Sequence, residues 1–226
     1  MLAVLLIAWP LLVLRHHSAQ DDSALSGGLG RSGARLSVFF YFLALGVGYL
    51  FIEMALIQRL VFFLGNPIYA VAVVLAGLLL VSGLGSGWAA RRLRKGSSAM
   101  QLAYLAALAA AVTAAVYALG LRAALMPLIG WPLAARIAVA LAVMLPLATM
   151  GMPFPLALRH LGRTHGELLP WAWAINGCAS VVASSLATLL ALRAGLVAVL
   201  VAAAGCYLVA GVVARGWREA PAGRHP

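Results

Sequence analysis

Apolar positions along this chain fall in long unbroken runs, separated by short breaks rich in arginine, proline and glycine. Residues 36–64, 68–90, 100–121, 137–158, 170–192 and 194–214 are each long enough to cross a bilayer as a helix, which takes about 20 apolar residues. A shorter run, 1–14, ends at Arg15-His16-His17 and reads as the tail of a helix whose beginning is missing, or as a start site placed late. Strands that span a membrane would instead show short segments alternating between apolar and polar. The pattern therefore predicts an all-α fold, a polytopic integral membrane helical bundle of about seven transmembrane helices.

The breaks divide the chain. Residues 1–17 form the truncated-looking first helix and 18–35 a polar linker rich in Ser, Gly and Asp. Residues 36–215 form a six-helix module and 216–226 a basic tail. Within the module, Gly65-Asn66-Pro67 is a tight turn and RRLRK closes the second run at 91–95. Residues 122–136, with Pro127, Trp131 and Pro132, form an interfacial connection, and 159–169 a polar loop. The run over 137–158 is interrupted by Pro146 and by GMPFP at 151–155. Such a break marks either a transporter-type discontinuous helix or a simple kink near an interface.

Composition agrees. Of 226 residues, 65% are hydrophobic and 9% charged, against about 45–50% and about 25% in soluble domains. The net charge of +11 would suggest nucleic acid in a soluble protein. Here the cations cap apolar runs, with no basic face interleaved with aromatics, so the expected partner is the lipid bilayer and no nucleic acid. The linker, the 91–95 run, the 159–169 loop and the tail hold most of the arginines, while Arg122, Arg136 and Arg193 lie on the other side, with Arg59 near it. Positive-inside bias then puts the N-terminus out and the C-terminus in. Arginine in place of lysine, with Lys95 the exception, suggests a GC-rich bacterial genome and hence the bacterial cytoplasmic (inner) membrane. An outward start with no basic n-region or cleavage site is a further hint of sequence upstream. Cys178 and Cys206 both lie in apolar runs with no CxxC or Cys/His cluster, and no metal site is expected.

The stretch SGLGSGW at 82–88 has the glycine spacing of a nucleotide or S-adenosylmethionine loop. Such a loop follows a strand, opens a helix and is followed about 20 residues later by an acid. This one follows an apolar run, and no Asp or Glu occurs between Glu53 and Glu167. It would also sit at a helix C-terminus, where carbonyls repel anions. Gly83 and Gly87 form G-x-x-x-G, with Ser82 and Ser86 at the same spacing, so the expectation is helix-against-helix packing and no cofactor.

Ionisable groups at membrane depth cost about 2.5–3.5 kcal/mol on insertion scales. Glu53 lies well inside its run, with Tyr49 four residues earlier on the same face and Gly46 and Gly48 nearby. Two readings fit: a proton or cation site facing the bundle interior, or a protonated or paired Glu that locks two helices. Arg59 points to a different face and snorkels or pairs with a carbonyl near the outer boundary. Asn176, Ser180, Ser184 and Thr188 make a polar stripe at steps of four, read as interhelical hydrogen bonding in preference to a substrate track. Trp171 and Trp173 read as interface anchors. His160 and His165 are too isolated for a metal centre, and no catalytic constellation can be assembled.

Three blocks together carry a resemblance. They are GVGYLFIEMALIQR at 46–59 with FLGNPIYA at 63–70 and SGLGS at 82–86, then MGMPFPLALR at 150–159, then PWAWAINGCASVVASSLATLLAL at 170–192. They resemble the membrane portion of bacterial spermidine synthase-like proteins, over roughly residues 1–215. The resemblance implies a soluble aminopropyltransferase-like domain of S-adenosylmethionine-type fold preceding the membrane segment. That domain is not on this chain, so catalytic residues are not expected here. Asn66 stands where the family usually has His, which argues against a titrating group at that turn. The expected function is a membrane module that anchors or partners such a domain. The alternative is a permease for a small cation or polyamine that uses Glu53, with the 151–155 break as a gate.

Overall fold

The computed structural model describes residues 28–219, with side chains over 33–217, and the expected first helix at 1–14 lies outside them. The described chain is all-helical: α1 Gly28–Leu64, α2 Pro67–Arg94, α3 Ala99–Leu125, α4 Leu133–Met144, α5 Pro153–Thr164 and α6 Leu169–Glu219, with no strand among the described residues. Five helical stretches are long and apolar enough to cross a membrane, α4 and α5 counting together as one. The expected count of seven is therefore not reproduced. One expected helix is outside the described residues, and the last two, 170–192 and 194–214, lie within the single stretch α6.

Local chemistry sets the boundaries. Gly65, with φ +73, ends α1 in the left-handed conformation, its N–H reaching the Val61 carbonyl at 3.0 Å. Asn66 then starts α2: its Oδ1 accepts the Ile68 N–H at 2.8 Å, and Pro67 occupies the first helical position. Arg91, Arg92 and Arg94 fill the last turn of α2, where carbonyl charge favours cations. Ser98 caps α3. Pro146 opens a seven-residue 3-10 segment, Leu145–Gly151, and Pro153 restarts the chain as α5, so the anticipated break is real.

Two expected loops are helical. Residues 28–35, read as linker, belong to α1. Most of 159–169, read as a polar loop, is the end of α5 followed by the 3-10 turn Gly166–Leu168. That part of α5 is amphipathic: Leu156, Ala157 and Leu161 are buried while Arg159 and Arg163 point out, so its polar residues occupy one helix face.

α6 reverses direction. A straight helix of its length would run about 75 Å, yet both its ends lie against α5. A Cβ on Gly162 would stand 3.8 Å from Leu169, and the Trp217 ring stacks on His160 at 5.8 Å. The turn is at Gly195, whose φ of 82 and ψ of 168 are open essentially to glycine alone. The two arms flank α1, which is the centre of the bundle. Gly46 faces the first arm, where an added Cβ would stand 2.7 Å from the Asn176 carbonyl oxygen and 3.0 Å from Ala179. Gly48 faces the second arm, 3.1 Å from the Tyr207 ring. α3 offers the second arm an alanine face: Ala103, Ala107, Ala110 and Ala114 have no solvent exposure, and Ala107 lies beside Gly211. Small residues permit backbones to approach where lipid supplies no hydrophobic drive between helices.

Outward faces are apolar. Leu119 and Phe62 are more than four-fifths exposed, and no described polar or charged residue is fully buried. A surface of this kind over several helices suits lipid and not water. One end of the bundle gathers Arg91, Arg92, Arg94, Lys95, Arg159 and Arg163, with Arg92 lying 4.6 Å over the Trp88 ring. The opposite end carries Arg59, Arg122 and Arg136.

Candidate functional site

The most polar ground within the bundle lies at mid-height, where α1 meets α2 and the second arm of α6. Gly48 is what opens it. With no side chain there, the fully buried Tyr207 ring and neighbouring Cys206 close onto α1. Tyr49, the next residue, interacts with Ser82 on α2 but not in hydrogen-bond geometry, and the Ser82 hydroxyl is buried without a partner. One turn on along the same helix, Glu53 is half-buried, and no hydrogen bond joins it to Tyr49 among the described residues. No described cation pairs with Glu53. The seam thus joins one carboxyl, two phenols, one hydroxyl and one thiol.

A second, aromatic cluster ties down the broken helix. The Tyr41 hydroxyl donates to the Pro153 carbonyl at 3.0 Å, and the Tyr41 ring packs on Trp217 at 4.9 Å. Phe42, Phe154 and Trp173 continue it edge to face, at 5.4 and 4.8 Å. In the adjacent segment the Tyr117 hydroxyl donates to the Val143 carbonyl, near where α4 gives way to 3-10 geometry. The break is held rigidly by phenol and ring contacts. Trp173, expected to anchor at an interface, serves this cluster while remaining exposed on one side.

Other residues singled out from sequence do different work. Gly83 and Gly87 are exposed with nothing within 4 Å, so neither packs a helix within this chain. The inward face of α2 runs through Gly77, Leu78, Val81, Gly85 and Ala89. Positions two residues from Gly85 sit about 200° round the helix, on the outside. Gly85 is the packing glycine, since an added Cβ would collide with the Ala148 carbonyl, and Gly151 meets the Ser82 backbone in the same way. Asn66 is committed to capping α2 and is not part of a site.

The polar stripe of α6 is also local. Ser180 donates to the Asn176 carbonyl at 2.9 Å, Ser184 to Val181 at 2.8 Å and Thr188 to Ser184 at 3.1 Å. These bonds return to their own helix, so the stripe does not bond across helices as expected. The packed stripe beside it is alanine: Ala179, Ala183 and Ala187 are buried. Asn176 does meet α1, its backbone and side-chain oxygens both facing Gly46.

Arg59 is half-buried near Arg122, with its Nε shielded and unpartnered. Arg136 reaches the same end of α1, donating from Nη1 to the Phe63 carbonyl at 2.9 Å. At the basic end, a cleft of about 500 Å³ is lined by Arg159, His160, Arg163, Ser97, Ser98 and Trp217. Among the described residues no three His, Cys, Asp or Glu side chains converge as a metal site would need.

Sequence reasoning named Ser82 for packing, and its backbone does meet Gly151, but it missed Gly85, Tyr207 and Arg136 as site or packing residues. Tyr207 had no signal, because only the reversal at Gly195 brings it to Gly48. Neither family models, nor curated proteins, nor solved structures match the chain.

Proposed function

We propose that this chain is the membrane module of a spermidine synthase-like protein, anchoring or partnering an aminopropyltransferase-like domain that carries the chemistry. The observation that carries the reading is the course of residues 82–88. Pro67–Arg94 is one continuous helix, and Gly85 within it is engaged against Ala148. The stretch that most resembles a nucleotide loop is thus occupied with packing, and a phosphate or adenosyl group has no backbone N–H groups to bind there. The blocks that carry the family resemblance also coincide with the residues that build the fold: Gly46 and Gly48, the Gly65-Asn66-Pro67 turn, Gly85 and Gly151. In this reading the module crosses the bacterial inner membrane six times over 36–215, with 1–14 as a seventh crossing, N-terminus out and C-terminus in. The basic end then faces the cytoplasm and offers its arginine-lined cleft to the soluble domain. Affinity purification of the full chain from its host, followed by identification of co-eluting proteins, is the test. An aminopropyltransferase-like partner is expected; aminopropyl transfer by the purified chain alone would refute the reading.

One observation favours a second reading, a permease for a polyamine or other small cation. Glu53 sits at mid-height, half-buried beside Tyr49 and with no cation paired to it. A carboxylate so placed is a binding site for a cation that crosses. Uptake of labelled spermidine into proteoliposomes should then vanish in Glu53→Gln while the variant stays folded. Unchanged uptake eliminates the role.

A further inference from the structure

The cleft of about 500 Å³ at the basic end opens between the start of α3, the last turns of α5 and the end of α6. It has the size of a small-molecule site, about 300–1,000 Å³. One wall is cationic. Arg159 and Arg163 stand four residues apart on α5, so they leave neighbouring points of one helix face, and both line the cleft. The His160 imidazole lines it beside them, held by its stack on Trp217, which is itself fastened to Ser37. The turn into α3 supplies another wall. It brings the Ser97 and Ser98 hydroxyls, then Ala99 and Met100, the first residues of α3. N–H groups in the first turn of a helix have no partner within it.

No acid answers these cations. Among the residues with described side chains the acids are Glu53, at mid-height, and Glu167, exposed and 3.5 Å from His165; neither lines the cleft. Like charges four residues apart on a helix repel one another. Positive-inside bias accounts for arginines at this end of the bundle, but not for two of them lining one hollow. A concave site with guanidinium, imidazole and hydroxyl groups and no carboxylate selects an anion. Guanidinium groups present paired N–H donors with the spacing of phosphate oxygens.

We propose that this cleft is a binding site for a phosphate-bearing anion, held by Arg159 and Arg163 of α5. The phosphate comes from the headgroup of an anionic lipid or from free phosphate, and in either case it accepts hydrogen bonds from both guanidinium groups. The inference goes beyond the reading of the chain as a partner module. A bound phosphate lies on the surface which that reading offers to a soluble domain, and its binding requires no such domain.

The test uses the purified full chain in detergent micelles with no soluble domain present, so its outcome is separate from that of the partner reading. A thermal melt measures the response to inorganic phosphate against chloride at equal ionic strength. Native mass spectrometry measures retained phosphatidylglycerol against phosphatidylcholine. Wild type is expected to melt higher in phosphate, to retain phosphatidylglycerol preferentially, or both. A phosphate response without lipid preference assigns the cleft to free phosphate, and lipid preference without a phosphate response assigns it to a headgroup. Arg159→Gln and Arg163→Gln should each weaken the binding seen in wild type by about tenfold, the loss of one charge-assisted hydrogen bond. Both positions are exposed, so the variants are expected to fold. Arg91→Gln removes an exposed arginine from the same end, in the last turn of α2 and outside the cleft, and should leave both readouts as in wild type. Three outcomes would overturn the proposal: neither response in wild type, wild-type binding in both α5 variants, or an equal loss in Arg91→Gln and Arg159→Gln.

Discussion

Trp217 donates its indole N–H to the Ser37 hydroxyl at 3.0 Å, joining residues 180 positions apart. The bond fastens the end of α6 to the early turns of α1. Its ring also lies on Tyr41 and His160, so one side chain holds three helices together. Trp217→Ala should cost about 3 kcal/mol, mostly from lost ring burial, since the Ser37 hydroxyl keeps its own bond to the Ala34 carbonyl at 2.8 Å. Ser37→Ala should cost about 1 kcal/mol because the rings stay in place. Reversible unfolding in mixed micelles gives both numbers; equal costs would mean that the rings contribute little.

Gly85 and Gly83 make a matched pair within one motif. Gly85→Ala should lower stability by at least about 2 kcal/mol, because its Cβ would overlap the Ala148 backbone, which cannot rotate away. Gly83→Ala meets open space and should be neutral, or stabilising by about 0.5 kcal/mol through helix propensity. Comparing the two melting temperatures decides the matter. A larger loss at Gly83 would place the packing face on the other side of α2.

Gly195 should be intolerant for a conformational reason alone. Nothing crowds its Cβ position, but its φ of 82 with ψ of 168 strains any L side chain by about 1–3 kcal/mol. Gly195→Ala should therefore destabilise the protein and accelerate protease cleavage near the turn. Cleavage at the wild-type rate would show that the turn relaxes at little cost.

Asn66 is expected to act as a cap and nothing more. Asn66→Ala should cost about 1 kcal/mol and Asn66→Asp almost nothing, because Asp also accepts the Ile68 N–H. Neither change should alter partner binding or uptake at equal amounts of folded protein. A functional defect in Asn66→Asp would reopen the turn as a site.

Ser180→Ala and Ser184→Ala should each shift stability by less than about 0.5 kcal/mol, since the lost bonds are to their own helix. Ala183→Leu, on the packed stripe, should cost several times more through overpacking. The ranking of the three variants in one unfolding series is the check.

The sequence by itself determined that the chain is built of apolar helices long enough to cross a membrane, and where most of them start and stop. Hydrocarbon cannot satisfy backbone hydrogen bonds, so each long apolar run has to be a helix. Gly65, Asn66, Pro67, Pro146 and Pro153 then act through their own dihedral angles and caps, which are local properties. Periodicity also placed Tyr49 and Glu53 one turn apart on α1. Which face of each helix turns inward was not legible, because in lipid both faces are apolar. Gly83, Gly85 and Gly87 look alike in the sequence, and only the position of Ala148 selects Gly85. The same holds for the reach of Arg136 to the Phe63 carbonyl and for the arrival of Tyr207 at Gly48. Those contacts depend on a reversal at Gly195 and on helix order, and both are decided by how small side chains let particular backbones approach.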